Sequence, residues 1–218
     1  MKNKPNHPQQ RIDITVPVSS ETPVWPGDPV PQLTTLLSIE HGDDCHLSQL
    51  TFSLHTGTHV DAPLHFIRGG KDVSSLDISK MEGEILLVEA LGIERITVEV
   101  LMSLNLTGIV RLLFKTLPDH LDRNDAARQQ PYPALDISAA RYLADHGFVL
   151  CAIDGMTIAI EEQLTAVHRT LLEKEIVIVE NLNLHGLTAG LYEIQVVPML
   201  IPGAEAAPAR VTIKKSFQ

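Results

Sequence analysis

Strand-like segments outnumber helical ones along this chain, the first half is rich in β signals, and the second half twice sets a helix directly before a strand. These three observations predict an α/β protein: a single mixed α/β domain, strand-rich, over residues 11–218, preceded by a flexible N-terminus over residues 1–10. A chain of 218 residues, 44% hydrophobic and 20% charged, is long and apolar enough to bury one substantial core. Its polar, proline-containing first ten residues have nothing to pin them down.

Order begins near Arg11. Ile12-Asp13-Ile14-Thr15-Val16 alternates apolar and polar residues as a strand does, and Pro17, Pro23, Pro26, Gly27, Asp28, Pro29 and Pro31 then force a long shaped loop, of a kind that is often functional. Residues 48–54 read as a strand that delivers the chain to His55. Residues 84–90 and 110–115 read as buried strands, with a short helix over 97–104 between them. Asp136 caps a helix that Gly147 stops at His146, and a strand ending at Asp154 follows. A third helix is expected over 161–173, then strands over 176–180, 192–200 and 210–214.

Composition removes several classes of function. A net charge of −10 without any Lys/Arg run repels phosphate backbones, so no nucleic-acid partner is expected. No apolar run approaches the roughly 20 residues that cross a bilayer, so no membrane partner is expected either. The opening MKNKPNHPQQR has no apolar stretch after its charges, and the expected location is the cytoplasm. Two cysteines make no disulfide framework: Cys151 sits in a strand-like apolar run, and neither it nor Cys45 is given a catalytic role.

Chemistry concentrates in His55-Thr56-Gly57-Thr58-His59-Val60-Asp61-Ala62-Pro63-Leu64-His65. Imidazoles and a carboxylate are the ligand types that zinc and manganese accept. On a helix Asp61 would point away from the face shared by His55 and His59, and Gly57 and Pro63 disfavour a helix altogether. In an extended chain the odd-numbered residues share one side. Yet four strand steps would separate His55 from His59 by about 13 Å, too far for one ion, so the chain must bend between them, and Gly57 permits the bend. Lone Trp25 lies in the proline-rich loop rather than in a core-like segment, and its indole face suits an aromatic ring. His41-Gly42-Asp43-Asp44-Cys45-His46 reads mainly as a polar turn, at most a rim to a pocket.

The segment from His55 to His65 resembles the signature of the cyclase-like metal-dependent hydrolases, the family that includes bacterial kynurenine formamidase (arylformamidase) and isatin hydrolase. Trp25-Pro26-Gly27-Asp28 resembles an early loop of that family. His168-Arg169 through Ile178-Val179-Glu180-Asn181-Leu182 resembles its later ligand segment, and Pro208-Ala209-Arg210-Val211 its closing strand. The resemblance implies the family's swivelling β/β/α fold and two divalent ions per subunit, with Zn2+ favoured and Mn2+ an alternative. His55, His59 and Asp61 would ligate one ion; Asp61, His168 and Glu180 would ligate the other, with Asp61 bridging. It implies that His65 donates and accepts protons, that Trp25 contacts substrate, and that the chain forms a homo-oligomer.

The implied activity is hydrolysis of a small aromatic amide, such as the aryl formamide N-formyl-L-kynurenine, to kynurenine and formate. Hydrolysis of another cyclic or aromatic amide, a cyclase reaction, and metal-dependent binding without turnover are the alternatives. Two stretches depart from the formamidase pattern. Asp154-Gly155-Met156-Thr157-Ile158-Ala159 has Ala159 where a second acid is usual, and Glu180-Asn181-Leu182 stands where Glu-Gly-Leu is typical. Both bear on the substrate rather than on the metal set.

Overall fold

The computed structural model describes residues 10–120 and 132–216. The expected loose terminus falls, apart from Gln10, outside the described residues. The strands are β1 (Ile12–Asp13), β2 (Gln32–Leu37), β3 (Leu47–Thr51), β4 (His59–Asp61), β5 (Glu82–Glu89), β6 (Arg111–Lys115), β7 (Leu150–Ile153), β8 (Val177–Glu180), β9 (Gly190–Pro198) and β10 (Ala206–Lys215); the helices are α1 (Val98–Met102), α2 (Ile137–Asp145) and α3 (Leu164–Leu172). The mixed α/β, strand-rich architecture expected from the sequence is present.

Seven strands run β10-β4-β8-β7-β6-β5-β9, and β9 pairs back onto β10, so the sheet closes into a barrel-like ring with β1 attached to β10. β5 to β8 are parallel; the pairings through β4, β9 and β10 are antiparallel. Closure leaves no hydrogen-bonding edge on the ring strands that meet.

Period-two alternation sorts the strand side chains. Leu113, Leu150, Ala152, Val177, Val179 and Val60 face the barrel interior, whereas Leu112, Phe114, Cys151, Ile153 and Ile178 face outward into a second core beneath the helices. With both faces buried, these strands read as near-continuous apolar runs. α2 starts where the Asp136 carboxylate accepts from the Ser138 and Ala139 amides, and the chain turns out of it at Gly147, φ +77.

Several expected elements differ in extent. β1 is two residues long, with only an isolated bridge at Thr15, because the Thr15 amide donates to the Asp13 carboxylate and the Val16 amide to the Thr58 hydroxyl instead of to the ladder. The strand expected over 48–54 ends at Thr51 and therefore does not lead directly into His55. Its partner β2 was not foreseen. The helix expected over 161–173 opens as a separate 3-10 turn over Glu161–Gln163 before α3 begins. No helix among the described residues is long and apolar enough to cross a membrane.

Candidate metal centre

The metal-ligand types gather on the outer face of the sheet, where α3 covers it. β4 pairs with β8 so that His59 lies opposite Glu180, Asp61 opposite Ile178, and Val60 opposite Val179. Directly opposed residues point to the same face. Val60 therefore enters the barrel while His59, Asp61 and Glu180 look out towards the helix that carries His168.

His55 reaches the same place through a turn. Gly57 adopts φ +65, and the ring centroids of His55 and His59 are 4.9 Å apart, against the roughly 13 Å of an unbent strand. A Cβ on Gly57 would meet the Val16 carbonyl oxygen at 3.0 Å. Gly57→Ala is accordingly expected to cost about 1–2 kcal/mol in left-handed backbone strain alone, measurable as a lowered denaturant midpoint, and to weaken metal binding through displacement of His55.

Main-chain acceptors set the imidazole orientations. His59 Nδ1 donates to the Gly57 carbonyl at 2.9 Å and His168 Nδ1 to the Leu164 carbonyl at 2.8 Å. Each Nε2 is thereby left to face the centre. His59 Nε2 lies 3.5 Å from Asp61 Oδ1 and 3.4 Å from Glu180 Oε2; His168 Nε2 lies 3.2 Å from Glu180 Oε1 and 3.7 Å from Asp61 Oδ2; His55 Nδ1 lies 3.2 Å from Asp61 Oδ1. Two ligands each about 2.1 Å from a tetrahedral zinc ion are themselves about 3.4 Å apart.

The ligand atoms fall into two groups that share Asp61, namely His55, His59 and Asp61, and Asp61, His168 and Glu180, each within 4.8 Å. His59 Nε2 and both Asp61 oxygens are buried without a hydrogen-bond partner. Leaving such atoms unsatisfied costs about 1–3 kcal/mol each and more when they are charged, and divalent cations are the partners this donor set lacks.

Without cations, protons carry the compensation. Burial pulls the His59 imidazole down, but the adjacent Glu180 carboxylate and the charge of Asp61 prevail and hold it up at about 9. His168 is likewise raised against its burial by Glu180 and Asp61. Burial pushes the Asp61 and Glu180 carboxyls up, and the surrounding imidazoles bring both below their usual range. Metal uptake must displace protons from these histidines.

His65 stands apart from both groups. It ends a 3-10 turn over Pro63–His65, its ring packs 4.2 Å from that of His55 and 6.1 Å from that of His168, and burial lowers its pKa. Beside it opens a cavity of about 210 Å³ lined by Trp25, His55, His65, His168, Glu180 and Asn181 among others. Trp25 is 39% exposed at this cavity. All seven residues singled out in the sequence are thus in one place, five on the cavity wall and His59 and Asp61 behind it.

Several contributors escape sequence reasoning. Phe66 lies against His168 with ring centroids 4.6 Å apart and planes tilted by 31°, and meets His65 edge-on at 4.2 Å. Glu205 Oε1 lies 3.6 Å from His55 Nε2, on the side away from Asp61. The Ile158 amide donates to Glu180 Oε1 at 2.7 Å, in a loop fixed by the Thr157 amide on the Tyr132 hydroxyl at 2.7 Å. Gly155 was the available signal, since a Cβ there would overlap the Tyr132 ring at 2.1 Å. Asp154 lies away from the centre and accepts from Thr116 and Leu117 at the end of β6; burial raises it to about 6 against those bonds. Ala159 is packed in the apolar outer core. The His41–His46 turn lines no part of the cavity.

A family model described as "Putative cyclase" matches residues 12–159. Kynurenine formamidase of Bacillus mycoides (strain KBAB4) is 32% identical over 206 residues, 94% of this chain and 97% of its own; the Bacillus anthracis kynurenine formamidase is also 32% identical, covering 93% and 96%. Among solved structures, one described as a potential metal-dependent hydrolase with cyclase activity superimposes with a TM-score of 0.80 at 28% identity, covering 96% of this chain and all of the other. Isatin hydrolase A from Ralstonia solanacearum shares the fold, with a TM-score of 0.79 at 19% identity over 95% and 92% of the two chains. Sequence, fold and the paired ligand groups agree that the chain belongs to the cyclase family of metal-dependent hydrolases.

Proposed function

We propose that the protein hydrolyses an aryl formamide, such as N-formyl-L-kynurenine, to an aryl amine and formate, using two divalent ions. The observation that carries this reading is the cavity in which His65 and Trp25 share a wall with ligands from both groups. His55, His59 and Asp61 would hold one ion and Asp61, His168 and Glu180 the other, with zinc favoured by the nitrogen-rich set and manganese an alternative. Such ions, when bound, act as Lewis acids towards water and an amide carbonyl.

The chain's own groups do the rest. His65, held neutral by burial, takes a proton from the attacking water and returns one to the leaving nitrogen as the C–N bond breaks. Phe66 and Trp25 offer aromatic surface to the aryl part. Asn181, which departs from the formamidase pattern on the cavity wall, favours a second reading in which the amide is cyclic and aromatic.

The test is a panel of aryl formamides, aromatic lactams and aliphatic amides assayed with defined zinc or manganese. Aryl formamides should exceed aliphatic amides, and chelation should abolish turnover. Trp25→Ala should raise KM more than it lowers kcat, as loss of uniform binding does. Metal uptake without turnover of any amide would leave only a binding function.

A homo-oligomer is part of the same reading, supported by the β2–β3 ribbon. Every residue of both strands is exposed, including Leu33 at 73% and, directly across from it, Leu50 at 43%. An isolated two-stranded ribbon is marginal in water, and exposed apolar patches of this kind mark interfaces. Light scattering should show a dimer or higher assembly that the double substitution Leu33→Asp, Leu50→Asp converts to monomer; an unchanged mass would remove the ribbon from the interface. The exposed free thiol of Cys45 supports a reducing, cytoplasmic setting.

A further inference from the structure

Asn181 is the one cavity-lining residue whose conformation, burial and missing partner all need explaining together. It follows Glu180 directly and adopts φ +58, a region that Gly and Asn enter far more readily than other residues. Its main chain is fully engaged: the amide donates to the Gly155 carbonyl at 2.9 Å, and the carbonyl accepts from the Thr58 hydroxyl at 2.6 Å. The residue is 5% exposed. Its side chain lines the cavity with Glu180, His65 and His168, yet makes no hydrogen bond among the described residues. A largely buried carboxamide with no protein partner on a cavity wall is free to pair with a bound ligand.

We propose that Asn181 determines specificity by accepting, through its carboxamide oxygen, the N–H of a bound secondary amide, so that the cavity selects amides over esters of the same shape. The inference rests on the reading of this cavity as an amide site. An amide offers a carbonyl oxygen and an N–H; cations in the ligand groups would take the oxygen, which leaves the N–H in need of an acceptor beside Glu180. The imidazoles and carboxylates of the centre would be taken up by the cations they are placed to ligate, and the Thr157 hydroxyl already accepts from the Ala159 amide. Asn181 supplies a neutral acceptor at that place. An ester has only an oxygen there, which cannot donate.

Trp25 is the only tryptophan in the chain and lines the same cavity, so its fluorescence reports occupancy without turnover. The experiment titrates zinc-loaded wild type and Asn181→Gly with N-methylbenzamide and with methyl benzoate, a pair differing by N–H against O. Glycine takes the same backbone conformation freely, which keeps the fold. The ratio of amide to ester affinity should fall about three- to tenfold in the variant, the size of one neutral hydrogen bond. An unchanged ratio, or no binding of either compound by wild type, overturns the proposal. Hydrolysis of formanilide and phenyl formate is measured in parallel. Discrimination in the titration without formanilide turnover would sink the formamidase reading and leave the role of Asn181 standing; turnover with an unaltered ratio would do the reverse.

Discussion

Asp61→Ala should empty both halves of the metal centre and take hydrolysis with them. Its two oxygens face three imidazoles, Oδ1 towards His55 and His59 and Oδ2 towards His168, and it is the only residue common to both ligand groups. Loss of an outer partner of a metal ligand costs about 10- to 100-fold in affinity, so loss of a shared ligand should exceed about a hundredfold. Elemental analysis after zinc or manganese reconstitution, alongside an aryl formamide assay, reads the result. A variant that kept both ions would show that Asp61 is not the bridge.

His65→Ala should leave metal content near that of wild type while kcat falls by about 10² to 10⁴, the usual contribution of a positioned acid-base group. The contrast with Asp61 is geometric. His65 lies on the cavity wall against the His55 ring and belongs to neither ligand group. The same paired measurement decides the matter: metal loss would make His65 a ligand, and full activity with metal retained would remove it from the reaction.

Much of the centre was legible because it obeys local rules. The shared parity of His59 and Asp61 follows from strand alternation, and the bend at Gly57 follows from the length of an extended segment that could not otherwise bring His55 to His59. The caps and stops of α2, at Asp136 and Gly147, are equally local. What the sequence hides is set by distant chain. Nothing around Glu205 places it beside His55, and nothing near Phe66 says that it lies on His168; both depend on how β10 and α3 pack. In the ribbon, β3 was legible as a strand over 48–54, whereas β2 was hidden behind the proline-rich run that ends at Pro31. Asn181 was visible as a departure from a motif, but its left-handed backbone and unpaired side chain were not.

β4 is only three residues long, and it is held between β8 and β10. The Thr58 hydroxyl meets the Asn181 carbonyl 123 positions away, and Asp61 lies opposite Ala206. Contacts so remote in sequence form late, after the entropy of closing very long loops has been overcome. During synthesis, then, His55, His59 and Asp61 leave the ribosome long before the strands that gather them, and metal capture is tied to completion of the ring rather than to the emergence of the histidine segment. β10 contributes no candidate ligand, yet a chain that ended before Ala206 should emerge with every candidate ligand present and no centre to bind an ion.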